Sequence, residues 1–292
     1  MTELVRLPSH EVVRTLESNA DFVAKLAALR RGPVSFSQID IGNGIKLDSW
    51  MMKPADFDST KKYPVLFYVY GEPAAQTVVD AYGSVTYLWH LMLTQRGYIV
   101  VSVDNRGTPG PRGRDWRKVV RNQIGSLRVR EQSAAAKLVG RLPFVDSTRL
   151  AVWGWSGGGS STLHLMFRAP DVYRAGMAVA PVANVHNYDT IYQERYVGLP
   201  STDEPAYHDA SPLYFADGLR GDLLVVHGSG DDNVHYQSTE QLINALVAAN
   251  KPFTMMEYPN RTHGIFEGPG TRVHLFNLLT RFLNEHVPAG PR

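Results

Sequence analysis

The chain contains no cysteine in its 292 residues. That excludes disulfides, thiolate metal sites and a cysteine nucleophile together, and it says little about compartment. An excess of either charge is also missing. Lys and Arg number 30 against 28 Asp and Glu, for a formal net charge of +2, which gives no reason to expect nucleic acid. Arg112, Arg114, Arg117, Lys118 and Arg121 are interleaved with other residue types and read as a solvated loop and helix face. No apolar run is long enough to span a bilayer. No apolar leader follows Met1-Thr2-Glu3-Leu4-Val5-Arg6, so no secretory signal is visible. The chain is expected to be soluble, cytoplasmic as given, and to bind neither nucleic acid nor membrane. Internal repeats and low-complexity segments are lacking too.

What is present is 43% hydrophobic residues, enough for one large domain with a substantial core. Residues 1–36 read as a helical appendage docking on a main domain of residues 37–292. In the appendage, Asn19 is placed to cap a helix with Phe22, Val23, Leu26 and Leu29 on one face, stopped by Gly32-Pro33. Asn43-Gly44 between two alternating segments then signals a hairpin. Buried-strand runs follow at 65–70, 98–104, 150–154, 175–180, 223–227 and 253–258. Helical stretches fall at 85–97, 127–141, 160–168, 237–249 and 272–286, with Ala134, Ala135, Leu138 and Val139 inward in the second. This alternation predicts an α/β class domain: a mostly parallel central sheet with helices on both faces and an antiparallel start.

Gly154-Trp155-Ser156-Gly157-Gly158 fits G-x-S-x-G, the nucleophile elbow of the α/β-hydrolase fold. A serine hydroxyl attacks only if a base takes its proton and substrate can reach it. A sharp strand-to-helix turn presents Ser156 at the top of the sheet, and the small neighbours let strand and helix pass closely. The same turn places the Gly157 N–H, at the positive end of the next helix, where an oxyanion forms. The pattern follows a buried strand and precedes a helical stretch, which is the context it requires.

Chain order in this fold is Ser, then Asp or Glu, then His. After the fifth strand, His227-Gly228-Ser229-Gly230-Asp231-Asp232-Asn233-Val234 offers Asp231 and Asp232 as the acid. After the last strand, Tyr258-Pro259-Asn260-Arg261-Thr262-His263-Gly264 offers His263 as the base. His227 ends a strand and is expected to brace the loop. His235 precedes a helix, His164 lies inside the post-elbow helix, and His208, His274 and His286 read as surface or packing residues.

The segments Gly154–Gly159, His227–His235 and Tyr188-Asp189-Thr190-Ile191-Tyr192-Gln193-Glu194-Arg195-Tyr196 together resemble the catalytic domain of the prolyl oligopeptidase family of serine peptidases. The likeness is to its dipeptidyl peptidase IV-like branch and runs from about Ile39 to His286. It implies Asp231 as the triad acid, with Asp232 the runner-up. It implies the Tyr70 hydroxyl, in Val69-Tyr70-Gly71-Glu72-Pro73, as a second oxyanion donor beside Gly157. It implies Val182, Tyr188, Tyr192 and Val234, with Trp155 beside the nucleophile, as an S1 pocket shaped for a proline ring. Asn233 would hold the carbonyl of the substrate residue before that, and Arg195 would orient Asn233 or the substrate.

Two departures stand out. The family often carries tyrosine after the nucleophile and again three positions later; here these are Gly157 and Ser160. A side-chain wall is therefore expected to be missing and the site roomier. Nothing in residues 1–36 can form the family's β-propeller. The chain is thus expected to be either a catalytic domain from a longer parent or a stand-alone hydrolase. Three functions compete: cleavage after proline or alanine near a peptide's N-terminus, carboxylesterase chemistry on small acyl esters, and a catalytically dead binding module. The triad is unbroken, which disfavours the last. Without a propeller, esters such as p-nitrophenyl acetate or butyrate should be hydrolysed better than Gly-Pro-p-nitroanilide, because an ester needs less exact alignment. No metal or organic cofactor is implied; the expected partners are a short peptide or small ester and, by resemblance, a second copy in a homodimer. Asp104-Asn105-Arg106-Gly107 reads as a turn with an internal Asp–Arg contact, and Glu72 is a weaker candidate for meeting a substrate amine.

Overall fold

The computed structural model describes residues 1–292, apart from the side chain of Ser84. Thr2–Arg6 (β1) and Glu11–Glu17 (β2) form a two-stranded antiparallel hairpin, separate from the main sheet among the described residues. Every residue of both strands is exposed. The segment read as purely helical therefore opens with a β-ribbon, which carries no Asn-Gly or Gly-Gly turn to announce it. Helix α1 (Ala20–Ala28) follows, and Asn19 caps it with no side-chain bond because its backbone is left-handed, with φ 52°. No residue of α1 is buried. Its contacts are light: Phe22 meets Tyr82 edge-on at 5.7 Å, and Gln95 donates to the Arg30 carbonyl just beyond it.

The main domain begins with β3 (Val34–Asp40) and β4 (Lys46–Met52), joined by a turn in which Asn43 and Gly44 both take positive φ. In order there follow β5 (Tyr63–Tyr68), α2 (Ser84–Gln95), β6 (Ile99–Asp104), α3 (Gly113–Lys118), α4 (Ile124–Val139), β7 (Val145–Trp155), α5 (Gly157–Arg168) and β8 (Ala175–Val179). After these come α6 (Thr190–Val197), α7 (Glu204–Ala210), β9 (Asp222–Gly228), α8 (Gln237–Ala248), β10 (Thr254–Tyr258) and α9 (Thr271–His286). The eight strands lie in the order β3-β4-β6-β5-β7-β8-β9-β10. The pairs β3–β4 and β4–β6 are antiparallel and the rest parallel. This is the α/β-hydrolase architecture, with its antiparallel start. No helix among the described residues is long and apolar enough to cross a membrane.

Strand alternation explains the layers. Val65, Phe67, Ile99, Val101 and Val152 face one core, with α4, α5 and α8. Leu66, Val100, Ala151, Trp153, Leu224 and Val226 face the other, with α2 and α9. Both faces are covered, so the central strands read as continuous apolar runs. Burying each Val, Leu, Ile or Phe among these contributes about 1.5–3 kcal/mol. In α4 the inward face is Ala135, Ala136 and Val139. Ala134 and Leu138 are only half-buried, so the face lies about one residue on from the expected one. Helix α5 is buried from Gly157 to Phe167.

Parallel strands end together, which brings the loops after β5, β7, β9 and β10 to one edge of the sheet. One close approach is at the end of β7. A Cβ on Gly154 would overlap the Gly158 carbonyl and the Val69 oxygen, both backbone atoms that cannot swing aside. Gly154→Ala is therefore expected to lower the melting midpoint by roughly 5–10 °C, as overpacking at a rigid site should. Circular dichroism melting of the two proteins side by side checks this, and an unchanged midpoint would show that the elbow can open.

Candidate active site

Ser156 follows the last residue of β7 and has φ 60°, ψ −122°. A non-glycine residue rarely takes this conformation, at a cost of order 1–3 kcal/mol. Two backbone bonds hold it: Ser156 N–H donates to Val179 O at 2.8 Å, and Ser160 N–H donates to Ser156 O at 3.0 Å. The turn puts Gly157 at the first position of α5, where unsatisfied N–H groups and the helix dipole favour a negative charge.

His263 lies on the loop after β10. Its Nδ1 is 2.7 Å from Asp231 Oδ2. The Trp155 indole donates to the His263 carbonyl at 2.9 Å, tying this loop to the elbow. Among the described residues Ser156 Oγ makes no hydrogen bond to the ring, a contact that often tightens only when substrate binds.

The structure brings Asp231 to His263, whereas Asp232 is exposed. The backbone explains the difference. Asp231 Oδ1 accepts the N–H groups of Asn233 (3.0 Å) and Val234 (2.8 Å), which turns its other oxygen toward the histidine. Oδ2 also receives His227 Nε2 at 3.1 Å, while His227 Nδ1 meets Thr239 Oγ1 at 2.7 Å. His227 thus braces the loop as expected, but through the acid itself. Its place at the end of β9, four residues before Asp231, was the available signal. Burial alone would raise the Asp231 carboxyl; hydrogen bonds to His227, His263 and the Val234 N–H outweigh it and hold the group well below its usual range.

Tyr70 follows β5, and its ring lies 3.1 Å from where a Cβ on Gly157 would be. Burial, with a further push from the Glu72 carboxylate, raises the Tyr70 phenol far above its ordinary value, and the neighbouring Ser156 side chain offsets part of this. The hydroxyl stays protonated and can donate beside the Gly157 N–H.

Val182 and Val234 are buried in one apolar cluster, with Tyr188 packed against it. The rings of Tyr188 and Tyr192 meet edge-on at 5.8 Å. Asn233 is held by the Tyr188 hydroxyl, which donates to its Oδ1 at 3.3 Å. Arg195 is exposed, with its guanidinium 5.6 Å from the Tyr196 ring centre. Among the described residues it makes no hydrogen bond to Asn233, which leaves orienting the substrate as the role expected of it.

Two further expectations need correction. Asp104 does not contact Arg106. It accepts from the Thr77 N–H and hydroxyl and the Val78 N–H, while Arg106 pairs with Glu131. Both partners lie far off in sequence, which a local reading could not supply. The space beside Gly157 is not simply open either. A Cβ there would come 2.8 Å from Glu72 Oε2. Glu72 is 8% exposed, and Arg128 Nη1 donates to its Oε1 at 2.6 Å. The Tyr192 hydroxyl donates to Oε2 at 3.0 Å. Its charge is already balanced by Arg128, which weakens its draw on an amine, and it stands where the missing wall would be. Ser160, the other departure, accepts the Val182 N–H at 3.0 Å.

Comparison with known proteins bears on this geometry. Residues 85–289 match the prolyl oligopeptidase family. The chain is 40% identical over 266 residues to a probable dipeptidyl-aminopeptidase B of Metarhizium robertsii, covering 89% of this chain and 29% of that one. It is 34% identical over 278 residues to prolyl endopeptidase FAP of Mus musculus, covering 94% and 36%. A crystal structure of Porphyromonas gingivalis dipeptidyl peptidase 4 superposes with a TM-score of 0.91 at 41% identity, over 97% of this chain and 40% of that one. The chain therefore spans about a third of the length of the curated relatives it matches.

Proposed function

The chain belongs to the prolyl oligopeptidase family, and we propose that it is a serine peptidase-type hydrolase acting through Ser156, His263 and Asp231. The observation that carries this reading is the strained Ser156 at the head of α5, beside a loop whose His263 is bonded to the buried Asp231. Residues 37–292 are the catalytic unit in this proposal, and residues 1–36 its appendage.

The chemistry follows from the positions. His263 Nε2 takes the Ser156 proton as Oγ attacks the acyl carbon. The charge that develops on the carbonyl oxygen meets the Gly157 N–H and the Tyr70 hydroxyl. As the tetrahedral species collapses, His263 returns the proton to the leaving amine, and the acyl group stays on Ser156. Water then repeats the sequence. Asp231 fixes the tautomer with the proton on Nδ1 and stabilises the imidazolium. The acyl-side residue packs among Val182, Val234, Tyr188 and Tyr192, near Trp155, and Asn233 receives the preceding residue. Names of relatives that include dipeptidyl aminopeptidase and prolyl endopeptidase support short peptides as substrates.

Two assays test the proposal together. A fluorophosphonate probe should label the protein at one site, and p-nitrophenyl butyrate should be hydrolysed with saturation. Gly-Pro-p-nitroanilide should be turned over more slowly, since an anilide needs closer alignment and a poorer leaving group must be protonated. A folded protein that neither takes the label nor hydrolyses the ester would sink the proposal.

A further inference from the structure

A small chamber adjoins Val182, one of the candidate S1 residues. It is lined by Glu72, Arg128, Gln193 and Ser160 with Val182 and Val185. About 10 Å³ of it is open to the centre of a water molecule, near the least that a single ordered water requires. Val182 and Glu72 belong to both spaces: Val182 is a candidate pocket wall, and Glu72 faces Gly157 and takes the Tyr192 hydroxyl.

Apolar side chains, Ile124 and Ala210 among them, make up half of the lining, and the polar half is electrically balanced. Glu72 and Arg128 form an ion pair at 2.6 Å, with Arg128 only 1% exposed. Arg128 is further fixed by Nε donating to the Ile124 carbonyl (2.8 Å) and Nη1 to Ser161 Oγ (3.0 Å). Gln193, on α6 one residue past Tyr192, is 4% exposed, and its Oε1 is buried without a partner. A buried amide oxygen left unpaired keeps its desolvation cost until a donor reaches it. The Glu72 Oε2 keeps lone-pair capacity beyond its bond from Tyr192.

We propose that Glu72, with Arg128 and Gln193, forms a polar floor to the S1 pocket and selects an acyl-side residue bearing a hydroxyl over its apolar isostere. This rests on Ser156 being the nucleophile. Charge decides the class. A cationic side chain would add an uncompensated positive charge beside Arg128, and an acidic one would face Glu72. A neutral hydroxyl disturbs neither, can donate to Glu72 Oε2, and meets the Gln193 amide whichever way that group is turned. Glycine at 157 is what leaves room for the carboxylate, so the departure at 157 and the acid at 72 act as one feature.

The test compares N-acetylglycyl-X p-nitrophenyl esters in isosteric pairs, X being serine against 2-aminobutyrate and threonine against valine. The full chain is expected to favour the hydroxyl member of each pair in kcat/KM by about tenfold, the worth of one hydrogen bond. In the Glu72→Leu/Arg128→Met double variant the preference should vanish or reverse. Removing both charges together avoids stranding either one, so this variant should fold. Gln193→Leu should lose part of the preference. Equal rates within each wild-type pair, or a preference that survives the double variant, would overturn the floor. Fluorophosphonate labelling of the same preparations separates the two claims. Labelled protein with flat ratios removes the floor alone, whereas unlabelled, inactive protein removes the serine mechanism and the floor with it.

Discussion

Ser156→Ala is expected to abolish fluorophosphonate labelling and to lower kcat on p-nitrophenyl butyrate by roughly five to six powers of ten. In the proposed mechanism the hydroxyl forms the acyl-enzyme bond, and the neighbouring Gly157, Ser160 and Ser161 sit within α5 or bond its backbone. Some catalysis over water should survive, because the Gly157 N–H and Tyr70 hydroxyl remain to polarise a carbonyl. The fold should persist. Alanine at φ 60° is no worse placed than serine, and the bonds that hold the turn, from Ser156 N to Val179 O and from Ser160 N to Ser156 O, are backbone to backbone. The melting midpoint should therefore change little while turnover collapses. A variant within tenfold of wild type would move the nucleophile elsewhere.

How far the sequence carried this site depends on the range of the forces involved. Ser156 and His263 were legible because parallel strands deliver their C-terminal loops to one edge. A glycine-rich turn after one buried strand and a histidine after the last meet there by topology. Asp231 against Asp232 was not legible from residue type. It is decided by which carboxylate can accept the 233 and 234 amides, and the family resemblance chose the residue that the turn geometry also favours. The β1–β2 ribbon was missed because its turn, Leu7-Pro8-Ser9-His10, has no glycine or asparagine. Helix α4 was found with its buried face displaced by a residue, since its packing partner and not its periodicity sets the rotation. The same limit explains Glu72: the sequence showed a missing wall at 157, but only the partners Arg128 and Tyr192, 56 and 120 positions away, show what stands there.

Asp231→Asn should leave binding largely intact and lower kcat by about four powers of ten. The amide is nearly the size of the carboxylate, so the loop can keep its shape. Its protons, however, can point at His263 Nδ1 where the carboxylate accepted one. That forces the ring proton onto Nε2, the atom that must receive the Ser156 proton. A KM near wild type with a collapsed kcat would separate this from general damage to the pocket. Asp231 also makes a prediction about stability. Burial alone would raise its folded carboxyl, but hydrogen bonds to His227, His263 and the Val234 N–H outweigh this and hold it well below its ordinary value. A depressed folded value stabilises the native state above the unfolded pKa, and that contribution is lost as pH falls below about 4. Melting midpoints of the wild type should therefore fall through this acid range more steeply than those of the variant, which has no proton to take up at that position. Parallel curves for the two proteins would mean that Asp231 is not ionised by its surroundings as the structure requires.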